Sequence, residues 1–158
     1  MKRNLMMSVL MLILMNTGSA WAAIKGSADV VQVSVVEESV TGAAGQRVEF
    51  SINLDIAETW HVYAHGDTNF IGVEVVLGED FPLAEFAAEY PTGHESEFFG
   101  ETVWMISGAN QIKAAAVIPE GMELGEYEIA VGVKVQACDD KLCLAPIDLP
   151  VTISLTVE

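Results

Sequence analysis

Two sulfurs are the residues in this chain most able to do chemistry. Cys138 and Cys143 stand in the segment Gln136-Ala137-Cys138-Asp139-Asp140-Lys141-Leu142-Cys143-Leu144-Ala145-Pro146, and the chain has no other cysteine. With four residues between them they can close a disulfide around a tight turn. Such a bridge either staples a fold or carries electrons by thiol–disulfide exchange. Asp139 and Asp140 disfavour a thiolate beside them, whereas Lys141 favours one. The pair is not spaced by two residues at a helix start, the arrangement that lowers a thiol pKa most. If redox-active, it would exchange with a partner that supplies the more reactive thiolate.

Other chemistry finds less support. His61, His65 and His94, together with Met105 and Met122, raise a copper or zinc reading. Two histidines four apart converge on a helix, but Trp60–Ala64 reads as a strand, where they need not. No metal site and no cofactor is assigned. Nucleophile-elbow, phosphate-loop and zinc-protease motifs are absent, so hydrolase and nucleotide chemistry have no footing.

The elements that must position the sulfurs read as strands. Val48, Phe50, Ile52, Leu54 and Ile56 alternate with polar residues. So do Tyr127, Ile129, Val131, Val133 and Val135, and then Leu149, Val151, Ile153, Leu155 and Val157. Each set is a period-2 pattern with one buried face. Shorter candidates are Val30–Val36, Trp60–Ala64, Ile71–Leu77, Thr102–Ser107 and Gln111–Ile118. Turn-forming runs separate them, beginning with Thr41-Gly42-Ala43-Ala44-Gly45. Leu83–Glu89 reads as a weak helical turn. About eight strands with regular turns predict an all-β fold, an immunoglobulin-like antiparallel β-sandwich in a single domain. Trp60 and Trp104 are expected in its core.

Strand phase bears on the cysteines. Continuing the inward set of Tyr127–Val135 by twos reaches Ala137, not Cys138. Cys138 is therefore expected on the face away from the main core, where another protein can reach it. A bridge here closes a six-residue loop, for which chain entropy supplies only roughly 2 kcal/mol. The staple and the electron carrier both remain open on these grounds.

The chain's start reads as a secretory leader. Lys2 and Arg3 precede the apolar run Leu5–Met15, and Ala20-Trp21-Ala22 fits a small-x-small cleavage site, so residues 1–22 are expected to leave as a signal peptide. The remaining domain, 23–158, is expected to be periplasmic. It keeps five cations (Lys25, Arg47, Lys113, Lys134 and Lys141) against 23 acids. That balance repels nucleic acid and anionic membrane, and favours a partner with a basic docking face.

Three segments in order resemble one family. Gln136-Ala137-Cys138 through Cys143-Leu144-Ala145-Pro146 resembles the cysteine segment of the periplasmic N-terminal domain of DsbD, the thiol:disulfide interchange protein. His94-Glu95-Ser96-Glu97-Phe98-Phe99-Gly100 resembles its acidic-aromatic cap loop, and Trp60-His61-Val62-Tyr63 its aromatic active-site strand. The resemblance covers most of 23–158 and implies an immunoglobulin-like fold. It also implies a relay from a thioredoxin-like donor to a periplasmic disulfide isomerase or a cytochrome c maturation protein. Cys143 would form the mixed disulfides and Cys138 would close the internal bridge. Phe98, with Phe99 beside it, would cap the pair; Glu97 would influence proton transfer; Tyr63 would line the pocket. Ser96 stands where the family is commonly acidic, and His61 at an aromatic position. With no membrane or thioredoxin-like segment here, a membrane electron transporter on a separate chain would feed a stand-alone domain. The contrasting readings are a binding or scaffold sandwich with a structural disulfide, and a copper-handling protein.

Overall fold

In the computed structural model, residues 25–158 are described; the expected signal peptide and its cleavage after Ala22 lie outside them. Three sequence patterns build the sandwich. Arg47–Ile56 (here β3) buries Val48, Phe50, Ile52, Leu54 and Ile56 and turns its polar residues outward. Gly125–Val135 (β10) and Ile147–Val157 (β11) do the same with Ile129–Val135 and Leu149–Val157. Alternation at period 2 gives each strand one apolar face, and burying those faces against each other is what drives two sheets together.

The first sheet runs β1-β3-β9-β6, with β1 Val31–Val35, β6 Ala84–Glu89 and β9 Ala109–Val117. The second runs β2-β11-β10-β5, with β2 Val40–Gly42 and β5 Glu74–Leu77. All neighbours are antiparallel except β2, which runs parallel to β11. The expected immunoglobulin-like β-sandwich is the fold. Among the described residues no helix is long and apolar enough to cross a membrane.

A third sheet, β4-β8-β7, is laid over one end of the sandwich. It comprises β4 Val62–Tyr63, β7 His94–Phe98 and β8 Glu101–Ile106. Its two faces do different things. Val62 pairs with Ile106, and both join the main core. Tyr63, Val103 and Met105 face the other way and join a second, smaller cluster with Phe98 and Cys138.

Several expectations are corrected. Leu83–Glu89 is not helical: Ala and Glu favour helix locally, but pairing of β6 with β9 wins, with a register shift between Ala84 and Ala87 and Glu85 at φ 49°. The turn run at Thr41–Gly45 begins with strand, since Thr41 and Gly42 pair with Thr156 and Val157. The Ser96–Phe98 segment is strand as well. Trp104 is not core. It shares a strand face with Ile106 but lies beyond the sandwich edge, and is 47% exposed. Trp60 only packs at the margin of the core, with the Lys25 ammonium 5.3 Å from its ring centroid.

Candidate active site: a capped disulfide

β10 and β11 are partners over their full lengths, from Gly125 opposite Val157 to Val135 opposite Ile147. The segment joining them, 136–146, carries both cysteines. It continues as a narrow hairpin. Leu144 N–H donates to Ala137 O, and Asp139 N–H to Leu142 O. The Asp139 carboxylate accepts from the Lys141 and Leu142 amides at 2.8 and 2.9 Å. These amides hold its pKa below the usual carboxylate value, with Lys141 and His61 adding to the effect. At the neck of this turn Cys138 and Cys143 face each other and form the disulfide.

Ser27, which sequence reasoning missed, locks the hairpin's base. It lies in a single 3-10 turn, Ser27–Asp29, and is buried. Its hydroxyl donates to Ala145 O at 2.7 Å and accepts from the Ala137 amide at 3.1 Å. Both legs of the cysteine segment are thereby tied to one side chain. A serine so remote in sequence from the cysteines carries no sequence signal of such a role.

The aromatic strand docks directly on the sulfur-bearing strand. His61 and Cys138 exchange both backbone hydrogen bonds, at 2.9 and 3.0 Å, as an antiparallel pair. Residues opposed in this way project their side chains to the same face. Tyr63, two residues on, shares that face. Its ring stacks on Phe70 at 4.4 Å and lies 5.5 Å from His61 and 6.1 Å from Phe98. Phe70 is a further member that the sequence did not reveal. Its amide and that of Asn69 are held by the Asp67 carboxylate, each at 2.9 Å.

The expected cap loop is a hairpin. Phe98 pairs with Glu101 around the two-residue turn Phe99-Gly100, whose φ values of 49° and 82° are both positive. Two left-handed residues match the twist of the flanking strands. The turn folds the tip so that Phe98 is 7% exposed and Phe99 is 74% exposed, with ring centroids 4.4 Å apart. Phe98 closes over the cluster, meeting His61 and Phe70 at 5.5 Å each. Cross-strand register sorts the rest of the segment. Ser96 pairs with Val103 and so faces the cluster, whereas exposed Glu97 pairs with Thr102 on the opposite face.

The expectation of an outward Cys138 is corrected in one respect. The phase argument separates the two neighbours as expected, Ala137 into the main core and Cys138 out of it. But the face that Cys138 takes is roofed by the third sheet, and the residue is 0% exposed. Cys143 is only partly buried, packed at the cluster's edge. The two sulfurs are therefore unequal in access.

His61 and His65 do not converge. His61 faces the disulfide cluster, while His65 stacks on Tyr90 at 4.0 Å and bonds Val73 O through Nδ1. Among the described residues no group of three or more His, Cys, Asp and Glu side chains is placed to hold a metal.

Residues 28–154 match the sequence profile of the family described as "Thiol:disulfide interchange protein DsbD, N-terminal". The chain belongs to the DsbD N-terminal family. One solved structure agrees in fold. The N-terminal periplasmic domain of ScsB from Proteus mirabilis superposes with a TM-score of 0.56 at 11% identity, over 81% of this chain and 47% of that one. The chain thus spans about half the length of the ScsB chain it matches. The Neisseria meningitidis DsbD N-terminal domain in the reduced form is 17% identical, over 85% of this chain and 91% of that one, with a TM-score of 0.46. No curated protein matches the chain. The residues matched by this family, which is described by thiol:disulfide interchange, include the Cys138–Cys143 disulfide.

Proposed function

We propose that this domain is a periplasmic relay that accepts reducing equivalents at the Cys138–Cys143 disulfide and passes them to other disulfides. The observation that carries the reading is the inequality of the two sulfurs, one sealed beneath aromatic rings and one at the edge. A thioredoxin-like donor brings a thiolate, which attacks Cys143 Sγ. The Cys138–Cys143 bond breaks, and Cys138 Sγ leaves with the electron pair and takes a proton. The donor's second thiol then attacks its own sulfur in the mixed disulfide and releases Cys143, leaving this domain as a dithiol and the donor as a disulfide.

The return half runs on the same atoms. The Cys143 thiolate attacks the acceptor's disulfide, and one acceptor sulfur leaves as a thiol. Cys138 then attacks Cys143, which re-forms the internal bridge and frees the acceptor's second thiol. The acceptors proposed are a periplasmic disulfide isomerase or a cytochrome c maturation protein. A membrane electron transporter is the proposed source behind the donor. Phe98 shields the pair between encounters, Tyr63 and Ser96 line its pocket, and Phe99 offers an exposed ring to the partner. Glu97, across the strand from the sulfurs, is assigned to the docking rim and not to proton transfer.

Trapping tests this. Cys138→Ala should hold mixed disulfides at Cys143 when exposed to oxidised periplasmic proteins, because nothing is left to resolve them. Recovery of none sinks the relay. The reduction potential separates it from a structural staple: a value near about −270 mV fits exchange, and one well below about −300 mV fits a staple.

A further inference from the structure

Among the described residues two buried side-chain polar atoms have no hydrogen-bond partner, and both lie at the disulfide cluster: His61 Nε2 and Tyr63 Oη. Leaving such atoms unpaired costs about 1–3 kcal/mol each. Buried polar groups are nearly always satisfied, so orphans at a reactive centre point to a partner that exists in another state of the site. In the oxidised state the neighbouring sulfur is part of a disulfide and carries no proton. When the bridge opens, Cys138 gains a thiol hydrogen. His61 is its directly opposed strand partner, on the same face.

We propose that His61 is the proton acceptor for Cys138, holding the thiol hydrogen at Nε2 in the reduced state and taking the proton as Cys138 attacks. The assignment rests on the relay reading above. The step balances: the Cys138 S–H bond breaks, the proton passes to Nε2, and the sulfur's electron pair forms the bond to Cys143. The sulfur formerly joined to Cys143 departs with the electrons of the broken bond. In the opposite direction the His61 imidazolium returns its proton to Cys138 as that sulfur leaves. Tyr63 cannot serve as the base. Burial, with Asp67 adding, pushes its hydroxyl up to about 12, so it stays a neutral donor.

The groups around His61 fit a neutral base. Burial lowers its pKa below the ordinary histidine value, Asp140 and Asp139 from the cysteine turn oppose this, and His94 on β7 reinforces it. Tyr63 is neutral, and Glu97 faces away. At neutral pH the imidazole is therefore uncharged and free to accept.

The test follows the resolving step alone. Reduced protein is mixed with an aromatic disulfide, 5,5′-dithiobis(2-nitrobenzoate), in a stopped-flow instrument. The first nitrothiobenzoate leaves in a bimolecular phase as Cys143 reacts, and the second in a first-order phase as Cys138 attacks. With a neutral base in place, the wild-type first-order rate should be flat in pH between the pKa values of His61 and Cys138, and should fall below the former. In His61→Gln and His61→Phe it should instead rise about tenfold per pH unit, following the thiolate fraction. At neutral pH both variants should be slower by at least about tenfold. Gln keeps hydrogen-bonding capacity but cannot titrate, so it separates proton transfer from packing. A Gln variant with the wild-type pH profile and rate overturns the His61 assignment and leaves the relay standing. Absence of any first-order phase in the wild type overturns both.

Discussion

Phe98 packs over a bond it does not form. Its ring closes the cluster above Cys138 and touches His61, Tyr63 and Phe70. Phe98→Ala should cost about 3–5 kcal/mol of stability in chemical denaturation. It should also speed reduction of the disulfide by a small thiol such as dithiothreitol, because the roof is gone. Unchanged reduction kinetics would mean that the ring packs without shielding. His61 makes a separate prediction about folding. Its pKa is lowered by burial, so between its unfolded and folded values the unfolded chain binds more protons. Stability should therefore fall as pH drops through the window just below about 6.5, and His61→Phe should lose that slope while keeping any due to other groups. The cysteines, Phe98 and His61 were legible as residue types at suggestive spacings. Ser27 and Phe70 were not, because their roles arise only when distant segments meet.

At the scale of elements, the site is a junction between a long hairpin and a small sheet. The hairpin was plain in the sequence: β10 and β11 alternate for 11 residues each, and both alternations hold. Of the small sheet, β4 and β8 were plain as short strands and β7 was not. β7 carries His94, Ser96 and Phe98 on its inner face, a set too polar for a hydrophobic alternation to show. β2 and β6 were missed for related reasons, one being three residues long and the other rich in helix-favouring Ala and Glu. Because no alternation announces that roof, strand phase alone puts Cys138 in reach of solvent. Two predictions belong here. Ser27→Ala removes the tie between Ala137 and Ala145 and should cost about 1–3 kcal/mol, leaving a buried amide unpaired. Amide exchange should quicken at Ala137 without quickening through β3. Phe99 sits left-handed at φ 49°, where a non-glycine residue is strained. Phe99→Asn suits that turn better and should not lower stability. It should slow exchange with a protein partner but not with a small disulfide, if the exposed ring is a docking contact.

For the whole molecule, charge decides who can approach. The chain carries 7 Lys and Arg against 23 Asp and Glu. Opposite charge accelerates encounter and salt screens it, with a Debye length of about 10 Å at 0.1 M. Exchange with a basic thioredoxin-like partner should slow by about tenfold or more between low and high salt. Exchange with an uncharged small disulfide should change little, and equal salt dependence for the two would argue against steering.

The Ser27 hydroxyl reaches Ala145 across 118 positions of sequence. Contacts of such separation are closed late, since the intervening chain must be ordered before they form. A partly folded chain therefore holds its cysteines on an untied loop, with neither His61 nor Phe98 packed beside them. Under the proposed relay, competence in exchange would report on completed folding: a chain nicked or stalled before Ser27 meets Ala145 would present ordinary thiols, open to any oxidant and matched to no partner.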